Sequence, residues 1–159
     1  MISWITGTVF GKFLSTFFIS MLPIVELRAG LPYGIALGLE YHLALTAAIL
    51  GNMLPVPFIV VYIRKIFVFL RKHFPKLDSV ISKLENKAHL KSDTVKKYGP
   101  IGLFLFVAIP LPGTGAWTGA LIAAVMDMRL KSAVPCIFLG VLGAATIMSV
   151  LTYGVISIF

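Results

Sequence analysis

Residues 133–159 form an apolar run that contains no charged residue. A helix that crosses the hydrocarbon core of a bilayer needs about 20 predominantly apolar residues, so this run predicts a transmembrane helix. A second run, residues 43–70, is apolar except for Asn52 and the Arg64–Lys65 pair near its end, and predicts another. Asn52 and two nearby prolines, Pro55 and Pro57, predict a polar kink within this second helix.

The composition agrees with a membrane protein. Of the whole chain, 58% is hydrophobic and only 13% is charged. Soluble domains are about 45–50% apolar and about 25% charged, which leaves them enough polar surface to cover an apolar core. The chain has an excess of apolar residues that a soluble fold could not bury, so a bilayer is the expected solvent.

Two further apolar stretches, residues 9–39 and 100–127, are interrupted near their centres by proline and glycine. The first is expected to have a broken tip at residues 23–32 and a return leg at residues 33–39. In the second, each leg (residues 101–109 and 118–126) has nine largely apolar residues and reaches about 14 Å as a helix, roughly half of the hydrocarbon core. The stretches therefore predict two re-entrant hairpins; the alternative for each is a single kinked spanning helix.

The two halves of the chain resemble each other at an offset of 89 positions. The prolines and glycines of the predicted breaks align, which predicts a repeat of hairpin plus transmembrane helix in residues 1–70 and 98–159. Because a re-entrant hairpin returns to its own face while each spanning helix crosses, the second unit is inverted, as in many secondary transporters. The identical pairs are Phe17/Phe106, Leu22/Leu111, Pro23/Pro112, Gly30/Gly119, Leu50/Leu139, Gly51/Gly140 and Val61/Val150.

The positive charge is concentrated in the middle of the chain. The net charge is +8, and ten of the 14 lysines and arginines lie between Arg64 and Lys97. The positive-inside rule places this linker, residues 71–97, in the cytoplasm of a cell-membrane protein with both termini outside. No nucleic-acid recognition motif accompanies the charge.

Five apolar residues at helical spacing predict an amphipathic linker helix on the leaflet surface, with a solvated connector as the alternative: Leu70, Phe74, Leu77, Ile81 and Leu84.

Only two charged residues, Glu26 and Arg28, fall at the predicted membrane depth. An ionisable side chain there costs about 2.5–3.5 kcal/mol on insertion scales, which is usually tolerated for function or for mutual pairing. Arg28 is the candidate to bind an anion. Glu26 is the candidate proton-coupling residue, because a carboxylate in a low-dielectric site binds protons more readily than in water. The alternative is a structural ion pair that joins the hairpins.

The second predicted tip, residues 110–117, offers donors for an anion. Gly113, Thr114, Gly115 and Thr118 place backbone N–H groups and hydroxyls at the start of a return helix, and helix N-termini bind anions. Trp117 is either a wall for an apolar substrate or an anchor. Close packing and helix capping are the alternative for the glycines and threonines. No catalytic, metal-binding or cofactor-binding motif accompanies these residues, so an enzyme is not expected.

Two motifs resemble signatures of a known family. They are ELRAGLPYG at residues 26–34 and PLPGTGAWTGA at residues 110–120, and they resemble those of the small multidrug export family, which is similar to the wider DedA/VTT group. The resemblance implies two opposed re-entrant hairpins and movement of polyprenyl phosphates or other lipids. DedA proteins usually carry arginines around the second-hairpin proline, where this chain has Val107 and either Gly113 or Gly115.

The leading hypothesis is therefore a transporter or flippase for an amphipathic anion, such as an isoprenoid phosphate lipid. Arg28, Gly113, Thr114, Gly115, Trp117 and Thr118 would bind the substrate, and Glu26 would exchange a proton. Export of lipophilic cations is the first alternative, and a non-transporting membrane scaffold is the second. Membrane lipids are the expected partners, and a homodimer is compatible with each hypothesis.

Overall fold

The computed structural model describes residues 7–111 and 113–156. The described residues are mostly α-helical and contain no β-strand, which confirms the all-α prediction. The described residues do not include Pro112, one member of a predicted repeat pair, or residues 157–159 of the predicted last helix. The helices are α1 (Val9–Ser20), α2 (Glu26–Ala36), α3 (Tyr41–Met53), α4 (Pro55–His73), α5 (Asp78–Lys91), α6 (Asp93–Ala108), α7 (Ala116–Val125) and α8 (Leu130–Ile156), with a 3₁₀ turn at Pro75–Leu77.

Two helical segments are long and apolar enough to cross a bilayer. One is Tyr41–His73, made of α3 and α4, and the other is Leu130–Thr152 of α8. They correspond to the predicted spans at residues 43–70 and 133–159. The first is divided at Leu54, between the end of α3 at Met53 and the start of α4 at Pro55; Leu54 itself keeps helical dihedral angles, so the predicted kink stays a prediction. Pro55 and Pro57 have no N–H to donate, so two helical hydrogen bonds are missing there.

The first predicted tip is shorter than expected. The chain turns between Ser20 and Glu26, and α2 then runs to Ala36 with Pro32 inside it. The prediction of a broken segment over residues 23–32 is therefore wrong from Glu26 onward. Pro32 removes one helical hydrogen bond, and α2 tolerates this loss.

Small residues allow α1 and α2 to pack closely. A Cβ atom at Gly30 would overlap the side chain of Ser20, and one at Gly34 would lie 2.8 Å from the Thr16 hydroxyl oxygen. Both Thr16 and Ser20 are fully buried, and each donates its hydroxyl to a carbonyl of its own helix. This contact fixes the position of the tip that carries Glu26 and Arg28.

The second interrupted stretch breaks where the sequence predicts. Helix α6 ends at Ala108 and α7 begins at Ala116, so the intervening loop coincides with the Pro- and Gly-rich motif. Within α6, Gly99 has a positive φ of 57° and produces a bend before Pro100. The predicted return leg, residues 116–126, forms α7 almost exactly.

Each interrupted stretch packs against a long helix through a glycine. Helix α1 packs on α3 at Gly51, where a Cβ atom would overlap the carbonyl of Phe17. Helix α6 packs on α8 at Gly140, where a Cβ atom would lie 2.6 Å from Val107 Cβ and 3.0 Å from the carbonyl oxygen of Phe104. Backbones approach closely at both places because no side chain intervenes.

The linker is not one continuous amphipathic helix. Phe74 has non-helical dihedral angles (φ −134°, ψ 75°) and Pro75 follows it, so Phe74 and Leu77 lie in a turn between α4 and α5. Arg71 donates to Asp78 at 2.8 Å and to Glu85 at 2.7 Å, which holds α5 back against the end of α4. Helix α5 then packs on α7.

Candidate functional site

The structure brings the two tips together through the charged residues of the first. Glu26 begins α2 with a positive φ of 50°, an uncommon conformation for a residue with a side chain. Its side chain is only 5% exposed, and its Oε1 atom accepts the backbone N–H of Trp117 at 3.1 Å. Trp117 lies in the first turn of α7, so the Glu26 carboxylate caps the N-terminus of that helix.

Gly115 makes this contact possible. It precedes α7 with a φ of 128°, and a Cβ atom there would overlap both carboxylate oxygens of Glu26 or approach them too closely. The sequence predicts an anion at this helix N-terminus. In the structure the anion is the protein's own carboxylate, from a residue 91 positions away.

Arg28 binds the loop that precedes α7. Its guanidinium donates to the carbonyl oxygen of Leu111, and to the carbonyl and hydroxyl oxygens of Thr114 at 2.6 and 2.7 Å. The predicted proximity of Arg28 to the second tip is present. In this conformation the guanidinium donors bind loop oxygens and not a substrate anion. Substrate binding by Arg28 therefore stays a prediction.

Thr114 organises the loop from within. Its hydroxyl oxygen accepts the backbone N–H of Leu111 at 3.2 Å and lies 2.7 Å from the carbonyl oxygen of Ile109. Two carbonyl groups of this loop accept hydrogen bonds from Arg28. We refer to the contacts of Glu26 with Trp117 and of Arg28 with Leu111 and Thr114 as the tip clamp.

Helix α5 contributes a second cation that the sequence-based site lacked. Lys91 donates to the carbonyl oxygen of Gly113, in the same loop that Arg28 binds, and its Nζ lies 5.9 Å from the centre of the Phe106 ring. Burial, then the charges of Lys87 and Arg28, lower the pKa of Lys91. The charges that act on Lys91 are thus all positive, and together they favour an anion beside the second tip.

An apolar cavity of about 380 Å³ lies between the first tip, α4, α5 and α7. Its wall includes Ile24, Phe67 and Leu84, and Lys87 is the one charged residue among the described residues that line it. Ligand cavities are typically apolar with a few polar groups, and about 300–1,000 Å³ in volume. This cavity can hold a hydrocarbon chain whose head carries negative charge.

Two predicted site residues line this cavity, Trp117 and Thr118. Trp117 also donates its indole N–H to the carbonyl oxygen of Met21 at 3.0 Å, so it is an anchor as well as part of the wall. Lys83, Lys87 and Lys91 are four residues apart, which places them on one face of a helix. That spacing was visible in the sequence, but nothing in it indicated which cavity the face borders.

The described residues contain no group of three or more His, Cys, Asp or Glu side chains that could hold a metal ion.

Comparison with known proteins identifies one family. The profile of the family described as "Putative small multi-drug export protein" matches residues 26–147, a range that includes Glu26, Arg28, the second tip, α5 and the cavity lining except Pro23 and Ile24. No match was found among curated proteins or among solved structures. The relation to the DedA/VTT group therefore stays a prediction. Because the match covers well over half of its length, the chain belongs to the small multidrug export protein family.

Proposed function

We propose that the chain is a cell-membrane transporter of an amphipathic anion, such as an isoprenoid phosphate lipid. The observation that carries this proposal is the apolar cavity beside the second tip, whose wall contains one cation, Lys87. Lys91 lies one turn farther along α5, and both Lys91 and Arg28 donate to carbonyl groups of the loop before α7. The hydrocarbon part of the substrate would occupy the cavity. The negatively charged head would lie toward the cations and the N-terminus of α7.

The fold that would perform this transport is a pair of re-entrant hairpins in an inverted repeat. Hairpin α1–α2 packs on α3 at Gly51, and hairpin α6–α7 packs on α8 at Gly140. These glycines are equivalent at the offset of 89 positions, and the residues they contact, Phe17 in one unit and Phe104 and Val107 in the other, are nearly equivalent. This repeated contact supports the proposed symmetry, with the basic linker in the cytoplasm and both termini outside.

The tip clamp suggests how the binding of a proton is coupled to the binding of an anion. Glu26 occupies the helix N-terminus that an anionic headgroup would need, and Arg28 is engaged by the loop oxygens. A hydrogen bond to a charged acceptor is roughly twice as strong as one to a neutral acceptor. Protonation of Glu26 would therefore weaken its bond to Trp117 and free that N–H for the substrate. The described clamp is then the substrate-free state.

The family's description implies drug export, and many exported drugs are lipophilic cations. Lys87 would repel such a cation, and no carboxylate is present among the described residues that line the cavity. Glu26 is buried at the tips, next to Arg28. The charge of the cavity thus favours an anionic substrate over a cationic one.

Thermal unfolding of the detergent-solubilised protein tests the proposal. A ligand that binds only the folded state at 100 times its dissociation constant stabilises it by about 2.7 kcal/mol. We expect undecaprenyl phosphate to raise the midpoint temperature and tetraphenylphosphonium to leave it unchanged. Lys87→Gln should reduce the effect of the phosphate lipid, whereas Lys83→Gln, an exposed change on the same helix, should preserve it.

Other outcomes would contradict the proposal. Stabilisation by tetraphenylphosphonium alone, lost in Glu26→Gln, would favour export of cations. If neither ligand changes the midpoint temperature and both lysine variants behave as wild type, the scaffold hypothesis is favoured, with the tip clamp as a structural element. A fluorescent phosphate lipid that is flipped in proteoliposomes by wild type, and not by Arg28→Ala, would support transport directly.

A further inference from the structure

One buried polar atom near the tip clamp has no partner. Asn52 lies at the end of α3, is 3% exposed, and its side-chain carbonyl oxygen Oδ1 forms no hydrogen bond with the described residues. A buried polar group left unpaired costs about 1–3 kcal/mol. Such an orphan in a folded protein calls for an explanation, such as a bound group or a second state in which it is paired.

Asn52 shares a small void with Glu26. The void has a volume of about 10 Å³, which is at the lower limit for a single water molecule and far too small for a phosphate group. Apart from Asn52, Glu26 and Arg28, the lining residues have no polar side-chain atom: Leu27, Val107, Gly115, Ala116, Val141 and Ala144. Arginine cannot accept a hydrogen bond, so Asn52 Oδ1 is the one side-chain acceptor, besides the Glu26 carboxyl group itself, among the described residues that line this void.

We infer that this void is an occluded proton site in which protonated Glu26 donates its O–H to Asn52 Oδ1. The inference rests on the proposed function, because it names the acceptor for the proton that Glu26 would carry. The carboxyl group has one oxygen, Oε1, on the Trp117 N–H. Its second oxygen would carry the proton toward Asn52, while the weakened bond at Oε1 can yield the Trp117 N–H to the substrate. In the protonated state both the orphaned oxygen and the new O–H group are satisfied.

The charges around Glu26 give this site a role in coupling. Arg28 on the same helix is the other charged residue that lines the void, and those that line it from α3, α6, α7 and α8 are uncharged. When Glu26 binds a proton, Arg28 loses its nearby negative charge and the region of Arg28 and Lys91 becomes more positive. Proton binding therefore favours anion binding, and by linkage anion binding favours protonation.

Infrared spectroscopy of the protein in lipid tests the inference without a transport assay. The C=O stretching band of a protonated carboxyl group should appear as the pH is lowered in wild type and be absent in Glu26→Gln. In Asn52→Leu, a change to an apolar side chain of similar size, the band should move to higher frequency because its O–H group has lost an acceptor. Proton binding to Glu26 should weaken by about tenfold, the equivalent of one ordinary hydrogen bond.

Thermal stability supplies an independent readout. At high pH, Asn52→Leu should raise the midpoint temperature above that of wild type, because it removes an orphaned polar group. As the pH falls, this advantage should shrink or reverse, because wild type gains a hydrogen bond that the variant cannot form. In a Glu26→Gln background the effect of Asn52→Leu should not depend on pH in this way.

A Glu26 band that is unchanged in Asn52→Leu would overturn the inference and leave the proposed transport intact. If Asn52→Leu does not fold, Asn52→Ala, which adds no bulk, must move the band in the same direction, and failure to do so is equally decisive. A band that responds to Asn52, in a protein that neither binds nor moves a phosphate lipid, would retain the proton site and overturn the proposed function.

Discussion

The Arg28 guanidinium donates to both the carbonyl and the hydroxyl oxygen of Thr114, at 2.6 and 2.7 Å, although the two residues are 86 positions apart. Two residues earlier, Glu26 binds the N-terminus of α7. One short segment of the first tip therefore holds both the loop and the helix of the second tip. Arg28 donates to backbone carbonyl oxygens and Glu26 accepts a backbone N–H, so the backbone of the second tip stabilises both charges.

The forked geometry of Arg28, with Nη1 on Leu111 and Nη2 on Thr114, predicts that charge alone does not replace this residue. Lysine keeps the positive charge but loses the planar fork of donors. We expect Arg28→Lys to lower the free energy of unfolding by about 1.5–3 kcal/mol, the range for hydrogen bonds to charged groups. The thermal midpoint in detergent measures this. Thr114→Ser keeps the hydroxyl group and should cost far less; an equal loss in both variants would refute the importance of the fork.

The contact of Gly115 with Glu26 predicts an unusually costly alanine. Gly115→Ala adds strain at a positive φ, about 1–3 kcal/mol, and also a clash with the buried carboxylate. Gly99→Ala is the matched control, because Gly99 has a positive φ of 57° but no atom near its Cβ position. We expect Gly115→Ala to lower the thermal midpoint well below that of Gly99→Ala.

A double-mutant cycle separates the clash from the strain. In a Glu26→Ala background, the cost of Gly115→Ala should fall to that of Gly99→Ala, because the atoms that clash are gone. Additive effects of the two substitutions would show that Glu26 does not pack against Gly115 in the membrane protein.

The proposed repeat predicts that two glycines far apart in the sequence behave alike. A methyl group at Gly51 would overlap the carbonyl of Phe17, and one at Gly140 would press on Val107 and on the carbonyl of Phe104. Overpacking typically costs about 1–3 kcal/mol, and backbone atoms cannot rotate away. Both Gly51→Ala and Gly140→Ala should therefore destabilise the protein.

Gly143 is the control for these variants. It lies one turn from Gly140 in α8, and its Cβ position is 3.1 Å from the Cβ atom of Ala108, a milder approach. Gly143→Ala should cost less in the thermal midpoint than Gly140→Ala. If Gly51→Ala is harmless while Gly140→Ala is not, the two helix contacts are not equivalent and the proposed symmetry loses its support.

The sequence predicted the second tip better than the first for a physical reason. In the second tip, Pro110 and the closely spaced residues Gly113, Thr114 and Gly115 end one helix and begin another. Local chemistry is therefore sufficient to predict this break. In the first, Pro32 suggested a break, but the surrounding residues are held by packing of α2 on α1 and α3, which sequence spacing does not reveal. Tertiary contacts therefore extended the helix through a proline.

The candidate site shows the same division. The anion preference of the α7 N-terminus follows from backbone chemistry and was predictable. That Glu26 supplies the anion depends on the register between two tips 91 positions apart, which no local pattern encodes. The sequence assigns Lys87 and Lys91 to the linker, but their approach to the tips depends on how Arg71 folds α5 back through Asp78 and Glu85.

The sequence leaves two roles open for Trp117, a wall of the cavity or an anchor. Its contacts suggest how to separate them. Trp117→Phe removes the indole N–H bond to Met21 but keeps an aromatic wall for the cavity. It should lower the free energy of unfolding by about 1 kcal/mol, one ordinary hydrogen bond, and leave stabilisation by a phosphate lipid nearly unchanged. Trp117→Ala should reduce both. The two quantities come from thermal midpoints measured without and with undecaprenyl phosphate. A loss of ligand stabilisation in Trp117→Phe as large as in Trp117→Ala would mean that the indole N–H, rather than the apolar wall, governs binding, either directly or by positioning the first tip at Met21.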